Sequence, residues 1–144
     1  MKLYIDSNAF VSHYTNDNPQ HAVLTRQAIT ESVAIISSPI AYPEVRAAFR
    51  SLKYAKRITE REYQYAVQNF ERDWRTVEQL EVGGSLALLA GVIADQHLLK
   101  GCDAVHVATA VTLQRLGNDL KFLTFDQQLS NRIAGSSLLT LWQP

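Results

Sequence analysis

The sequence predicts an α/β fold with three layers, in which helices cover both faces of a mainly parallel sheet. Short apolar runs bounded by polar residues predict strands at residues 2–5, 33–37, 79–82, 122–124 and 138–141. Helical stretches separate most of these runs. Strands that are joined through helices need crossover connections, and such connections are typical of parallel sheets.

The helices are predicted from their starts, their apolar spacing and their ends. Pro19 suits the first turn of a helix that continues to about residue 32, and a second helix begins near Pro39. A fourth lies around residues 86–93, with Gly101 placed to end it, and a fifth runs from residue 103 to about 116. The third has the clearest apolar stripe, with spacings of four and three: Tyr63, Val67, Phe70, Trp74 and Val77.

Composition limits the class of protein. The chain of 144 residues suits one domain, spanning 1–144, with a substantial core. It is 47% hydrophobic and 19% charged, which excludes a disordered or low-complexity chain. Fourteen basic residues balance fourteen acidic ones, so any contact with nucleic acid has to come from a local patch.

Cysteine usage and hydropathy indicate where the protein resides. The lone Cys102 cannot form an intramolecular disulfide, and no Cys or His cluster has the spacing of a zinc site. The first ten residues lack the apolar core of a signal peptide, and the longest apolar run, residues 86–94, is too short to span a bilayer. We therefore expect a cytoplasmic protein without a membrane anchor.

Two acidic residues directly follow predicted strands. Asp6 follows the strand in KLYI, and Asp126 follows the strand in KFLTFD. Ligands of open α/β sheets bind beyond the carboxyl ends of the strands, so both acids are expected on the same rim if these strands are parallel. Each acid is also well placed to cap the helix that follows it. Taken singly, the ligand and the cap are equally good interpretations.

Two further acids belong to helical segments. Glu44 lies at the edge of the apolar stripe in SPIAYPEVRAAFRSLKYA, and considered alone it is a solvated residue that pairs with a neighbouring base. Asp103 stands between Gly101 and the helix AVHVATAVTLQ, where an N-cap is an ordinary interpretation. Together the four acids form a pattern that favours a functional site over these separate interpretations. A strand ends in Asp, a helix carries Glu, a helix is opened by Asp and a strand ends in Asp.

The segments YIDSNAF, YPEVRAAF, GCDAVHVATA and FLTFDQQL resemble, in this order, the successive motifs of PIN-domain ribonucleases, especially VapC-type toxins of toxin–antitoxin pairs. The resemblance covers the whole chain. It implies a PIN-like fold, hydrolysis of RNA phosphodiester bonds, a small VapB-like antitoxin and a homodimer. It places small polar groups that orient carboxylates or water at Asn8 and Thr124. It assigns the metal-binding, catalytic acids to Asp6, Glu44, Asp103 and Asp126.

Such a group of acids has a chemical requirement. Converging carboxylates repel one another and raise one another's pKa values unless a cation neutralises them, and an all-oxygen site suits Mg²⁺ or Mn²⁺. One or two such ions bind a phosphodiester oxygen, generate hydroxide from water and stabilise the leaving 3′ oxygen. No His, Ser or Cys nucleophile is needed, and His106 is expected to pack or form hydrogen bonds rather than act as a general base.

Basic residues follow Glu44 closely along the chain. Arg46, Arg50 and Lys53 recur at helical spacing on one side of their segment. They are candidates for contacts with RNA phosphates beside the acids. A solvated helix face explains the same spacing equally well.

Three other classes of protein compete with the nuclease. A phosphohydrolase of the haloacid-dehalogenase type needs a second Asp two residues after the first, where this chain has Asn8. A receiver domain needs an acid pair near the first strand and a Lys after the last active-site strand, and DSNAF and FDQQL supply neither. A non-catalytic PIN-like binding module would keep the fold without the metal, and the presence of all four acids argues against it.

Overall fold

A computed structural model describes residues 1–144, and its centre is a parallel sheet of four strands. The strands are β1 (Lys2–Ile5), β2 (Ala34–Ser37), β3 (Glu78–Gln79) and β4 (Leu120–Leu123), in the order β3-β2-β1-β4. Parallel pairing joins β1 to β2 and β4, and joins β2 to β3. The predicted mainly parallel sheet is confirmed.

Seven helices surround the sheet, and none is long and apolar enough to cross a membrane. They are α1 (Ser7–Tyr14), α2 (Pro19–Thr30), α3 (Ala41–Tyr54), α4 (Glu60–Trp74), α5 (Gly84–His97), α6 (Gly101–Arg115) and α7 (Gln127–Ser136).

Alternating side chains of β1 point into two separate apolar clusters. Leu3 and Ile5 belong to the cluster that α1, α3 and α4 cover, together with Phe49 and Phe70. Tyr4 belongs to the cluster that α5, α6 and α7 cover on the other face. Because successive residues of a strand face opposite sides, helices cover both sides of the sheet, which confirms the three-layer prediction.

The strand predictions were good at the sheet centre and poor at its edges. Residues 138–141 were expected to form a strand, but only Leu141 forms a bridge, to Phe122. That expectation was wrong because the segment makes one backbone hydrogen bond with β4, from the Phe122 N–H to the Thr140 carbonyl, and the only other one to Phe122 comes from Trp142, beyond the segment. The strand expected at residues 79–82 is the shorter β3, which begins at Glu78.

The helix predictions were correct in type, and their ends needed correction. Pro19 is the first residue of α2, as expected, and the structure adds that Asn18 caps this helix. The spans of α1 and α7 were not predicted, although Asp6 and Asp126 were considered as caps and do cap these helices. Gly101 does not end α5, because α5 ends at His97 and Leu98 adopts the left-handed conformation (φ 55°) that glycine often takes at a helix end. Gly101 instead begins α6.

The strand order positions the candidate site. The chain proceeds from β1 to β2 and β3 on one side, whereas β4 is added on the other side of β1. A crevice therefore opens beyond the carboxyl ends of β1 and β4, where the order reverses and where ligands of such sheets bind. Asp6 follows β1 directly, and Asp126 lies a few residues beyond β4.

Candidate active site

Asp6 is a buried carboxylate that also caps α1, so the cap and the ligand interpretations do not exclude each other. Its oxygens accept hydrogen bonds from the Asn8 backbone N–H at 2.8 Å and the Thr124 hydroxyl at 2.7 Å. The Asn8 side chain accepts from the backbone N–H of Phe125 at 3.2 Å. Burial raises the pKa of Asp6 to about 6, although its hydrogen bonds favour the charged form. Such a shift is characteristic of functional sites.

Thr124 connects two of the predicted acids across β1 and β4. The hydroxyl that donates to Asp6 also accepts from the backbone N–H of Asp126 at 3.2 Å. Asp126 caps α7, since its side chain accepts from the Leu129 backbone N–H at 3.1 Å. One hydroxyl thus fixes the Asp6 carboxylate and the start of the turn that presents Asp126.

Asp103 lies inside the first turn of α6, so the expectation that it opens this helix is wrong. The N-cap is Lys100, the helix begins at Gly101, and no side chain caps it. Burial and the nearby charges of Asp126 and Glu44 raise the pKa of Asp103. Asp103 and Asp126 line the same cavity of about 190 Å³. Helix capping therefore does not explain this acid.

Glu44 reaches the site from the first turn of α3 and binds a buried histidine. Its Oε1 lies 2.7 Å from Nε2 of His106, and Nδ1 of His106 lies 2.9 Å from the Tyr4 hydroxyl. His106 is 1% exposed, which confirms that it packs and forms hydrogen bonds. Glu44 does not pair with a base on its own helix, which was the expectation when it was considered alone.

The available ligand atoms fit a hard divalent cation. They are carboxylate oxygens, which Mg²⁺ and Mn²⁺ prefer, and the mutual repulsion of Asp103, Asp126 and Glu44 is what a cation would offset. No three His, Cys, Asp or Glu side chains are close enough together to form a complete metal site on their own. Mg²⁺ commonly binds one or two carboxylates and keeps several waters, so a tighter cluster is not required.

The basic residues of α3 mostly contact the acids of α4. Arg46 donates to Glu71, and Lys53 lies 3.0 Å from Glu60. Arg50 is exposed. The contact with RNA phosphates stays a prediction for all three, and Arg50 is the one without an acidic partner in these α3–α4 pairs.

Sequence reasoning did not find the contact between Glu44 and His106. The two residues are 62 positions apart, and Tyr4 and His106 are 102 positions apart. No local motif can predict these hydrogen bonds, because only the packing of α3 and α6 against β1 brings the three residues together. A weak signal was present in the polar His106 within the otherwise apolar stretch AVHVATAV.

Comparison with known proteins identifies relatives over most of the chain. A family model described as PIN domain matches residues 3–134. Ribonuclease VapC45 of Mycobacterium tuberculosis (strain CDC 1551 / Oshkosh) is 33% identical over 112 residues, which cover 77% of this chain and 76% of the relative. Ribonuclease VapC49 of Mycobacterium tuberculosis (strain ATCC 25618 / H37Rv) matches with the same identity and coverage.

Solved structures of low sequence identity share the fold. Mycobacterium tuberculosis VapC20, a Sarcin-Ricin loop cleaving toxin, has a TM-score of 0.66 at 16% identity and 99% coverage of both chains. A toxin-antitoxin complex from Klebsiella pneumoniae gives 0.65 at 18% identity, also with 99% coverage of both. Rickettsia felis VapBC2, bound to a DNA fragment from its promoter, gives 0.64 at 12% identity, covering 99% of this chain and 98% of that one. Because the PIN domain model matches residues 3–134 and both VapC ribonucleases are 33% identical, the chain belongs to the PIN-domain family and, within it, to the VapC group.

Proposed function

We propose that this protein is a metal-dependent endoribonuclease that hydrolyses RNA phosphodiester bonds, and that it is the toxin of a VapBC-type toxin–antitoxin pair. The observation that carries the proposal is the convergence of the acids at one edge of the sheet. Asp103 and Asp126 line one cavity. The Thr124 hydroxyl donates to Asp6 and accepts from the backbone of Asp126, beyond the ends of β1 and β4. The ribonuclease names of the VapC relatives support RNA as the substrate.

Each residue of the site has a distinct part in this proposal. The four acids would hold Mg²⁺ or Mn²⁺, one or two of them directly and the others through bound water: Asp6, Glu44, Asp103 and Asp126. When bound, the cation polarises the phosphodiester and promotes ionisation of the attacking water. Thr124 orients the Asp6 carboxylate by its hydrogen bond. Asn8 holds the turn between β4 and α7 through its bond to the Phe125 backbone.

RNA cleavage by the purified protein is expected to require a divalent cation. Activity in Mg²⁺ or Mn²⁺ should disappear when excess EDTA is added and return when Mn²⁺ is restored, because the acids alone repel a phosphodiester. The measurement is the rate of cleavage of a labelled RNA that carries both stems and loops. Undiminished cleavage in EDTA would exclude the metal mechanism. A protein that binds Mn²⁺ but never cleaves would favour a non-catalytic PIN-like module.

We also propose two protein partners, a second copy of this chain and a small VapB-like antitoxin. The Klebsiella pneumoniae and Rickettsia felis complexes support an antitoxin. An Arg of that partner would pair well with the carboxylates of the groove. The homodimer is supported by α5, whose outer side exposes Leu88 and Val92 one turn apart, at 76% and 52%.

Purification of the tagged protein from its native host is expected to recover a small basic companion that inhibits RNA cleavage.

Light scattering of the isolated chain is expected to give the mass of a dimer. Leu88→Glu is expected to shift this mass to that of a monomer, because a buried charge is costly at an apolar interface. Ala87, an exposed residue about 100° around the same helix from Leu88, offers the control variant Ala87→Glu, which adds the same charge away from that side. A monomeric wild-type protein without a companion would contradict the proposal.

A further inference from the structure

We infer that His106 is a positioning residue, which holds the Glu44 carboxylate in the site by a hydrogen bond and is itself fixed by Tyr4. This inference rests on the proposed function and adds to it a group that the four acids do not include. It explains why two polar side chains, Tyr4 and His106, lie in contact in the core between β1 and α6.

The geometry defines a chain of three side chains from three elements. Tyr4 on β1 contacts His106 on α6 at 2.9 Å, and His106 contacts Glu44 on α3 at 2.7 Å. Tyr4 and His106 are 0% and 1% exposed, whereas the Glu44 side chain is 29% exposed. The hydrogen-bonded side chains therefore lead from the core to the edge of the site and end on a carboxylate that solvent reaches.

The direction of each hydrogen bond follows from the groups involved. A carboxylate only accepts, so Nε2–H of His106 donates to Glu44. Burial raises the pKa of Tyr4 well above its ordinary value, so its hydroxyl keeps the proton. Nδ1 of His106 lies 2.9 Å from that hydroxyl, and this contact fixes the orientation of the ring. One oxygen of Glu44 is occupied by His106, and the other is left for a cation.

Glu44 needs the hydrogen bond from His106 because the negative charge of Asp103 repels its carboxylate from this position. The negative charge of Glu44 contributes to the raised pKa of Asp103, so the two carboxylates repel each other. A glutamate in the first turn of a helix has rotamers that point to solvent, where this repulsion is smaller. The N–H of His106 offsets the repulsion and keeps Glu44 toward Asp103 before a cation binds. Groups that orient metal-binding carboxylates in this way typically contribute 10–100-fold to metal affinity.

The test compares the Mn²⁺ affinity of variants by calorimetry in the absence of RNA. His106→Leu removes the donor, and we expect the affinity to fall by about 10–100-fold. His106→Gln retains an amide N–H at a similar distance from the backbone and is expected to recover most of this loss. Tyr4→Phe leaves the donor but frees the imidazole, so a smaller loss is expected. The control is Thr112→Val, which removes a hydroxyl of α6 that donates within the helix. This variant should bind Mn²⁺ as the wild type does.

A second readout uses the metal-free protein. Nitrogen-15 NMR in EDTA is expected to show a proton on Nε2 of His106 in the wild type, because this N–H must donate to Glu44. A ring without a proton on Nε2 would overturn the inference even if His106→Leu fails to fold. Unchanged Mn²⁺ affinity in a folded His106→Leu variant would overturn it too, as would a Gln variant that binds no better than Leu. If the wild type binds no Mn²⁺, the proposed function fails and the inference fails with it. Wild-type binding with an unaffected Leu variant removes the inference alone.

Discussion

The Asp103→Asn variant is expected to fold normally and to cleave RNA more slowly by roughly two orders of magnitude or more, because it removes a charge that the divalent cation needs. Asn and Asp cap helices about equally well, and Asp103 does not cap α6 in any case. The substitution therefore leaves the secondary structure intact. It also relieves repulsion with Asp126 and Glu44.

The stability of this variant separates the metal role from a structural one. In EDTA the unfolding free energy should be unchanged or higher by less than ~1 kcal/mol, because solvent screens a half-buried charge, and the melting temperature should be unchanged or slightly higher accordingly. Added Mn²⁺ should raise the melting temperature of the wild type and raise that of the variant much less. A folded variant with wild-type cleavage would exclude Asp103 from the site.

Asp6→Asn is expected to stabilise the metal-free protein in a way that depends on pH. The pKa of Asp6 rises from 3.8 to about 6 because of burial, so the folded state favours the protonated acid. The stability that this preference contributes is present below pH 3.8 and is lost as the pH rises through about 6. The full change corresponds to about 3 kcal/mol, and Asn, which is neutral and also caps helices, does not undergo it.

The measurement is urea denaturation of both proteins in EDTA across this pH window. The unfolding free energy of the wild type should fall relative to that of Asp6→Asn as the pH rises, and the difference should stop changing above about pH 6–7. Mn²⁺ should restore the stability of the wild type at neutral pH, since it replaces the missing proton with a cation. If the difference in unfolding free energy between the two proteins did not vary with pH, burial would not raise the pKa of Asp6.

The parts of the fold that the sequence predicted are those in which local pattern and tertiary packing agree. β1 and the start of α2 were correct because an apolar run and a proline act locally. The end of α5 was not, because Leu98 adopts a left-handed conformation that its residue type does not favour. Residues 138–141 have strand-like composition, but the pairing that a strand requires is set by distant residues.

The candidate site shows the same division. The four acids were predicted from their motifs, and Thr124 was predicted as a supporting group. The structure gives Thr124 its contacts with Asp6 and Asp126. The link between Glu44 and His106 was not predictable, because it depends on how two helices from opposite faces of the sheet, far apart in sequence, bring these side chains together. The same placement determines which charges raise the pKa of Asp103.

Calorimetric titration of Mn²⁺ into the wild type and Asp103→Asn, matched in concentration and buffer, tests the metal site most directly. Saturable binding to the wild type is expected, weakened strongly in the variant, with both proteins folded before the titration. Binding of equal affinity to both proteins, or no binding to the wild type, would contradict the claim that these acids form a divalent-cation site.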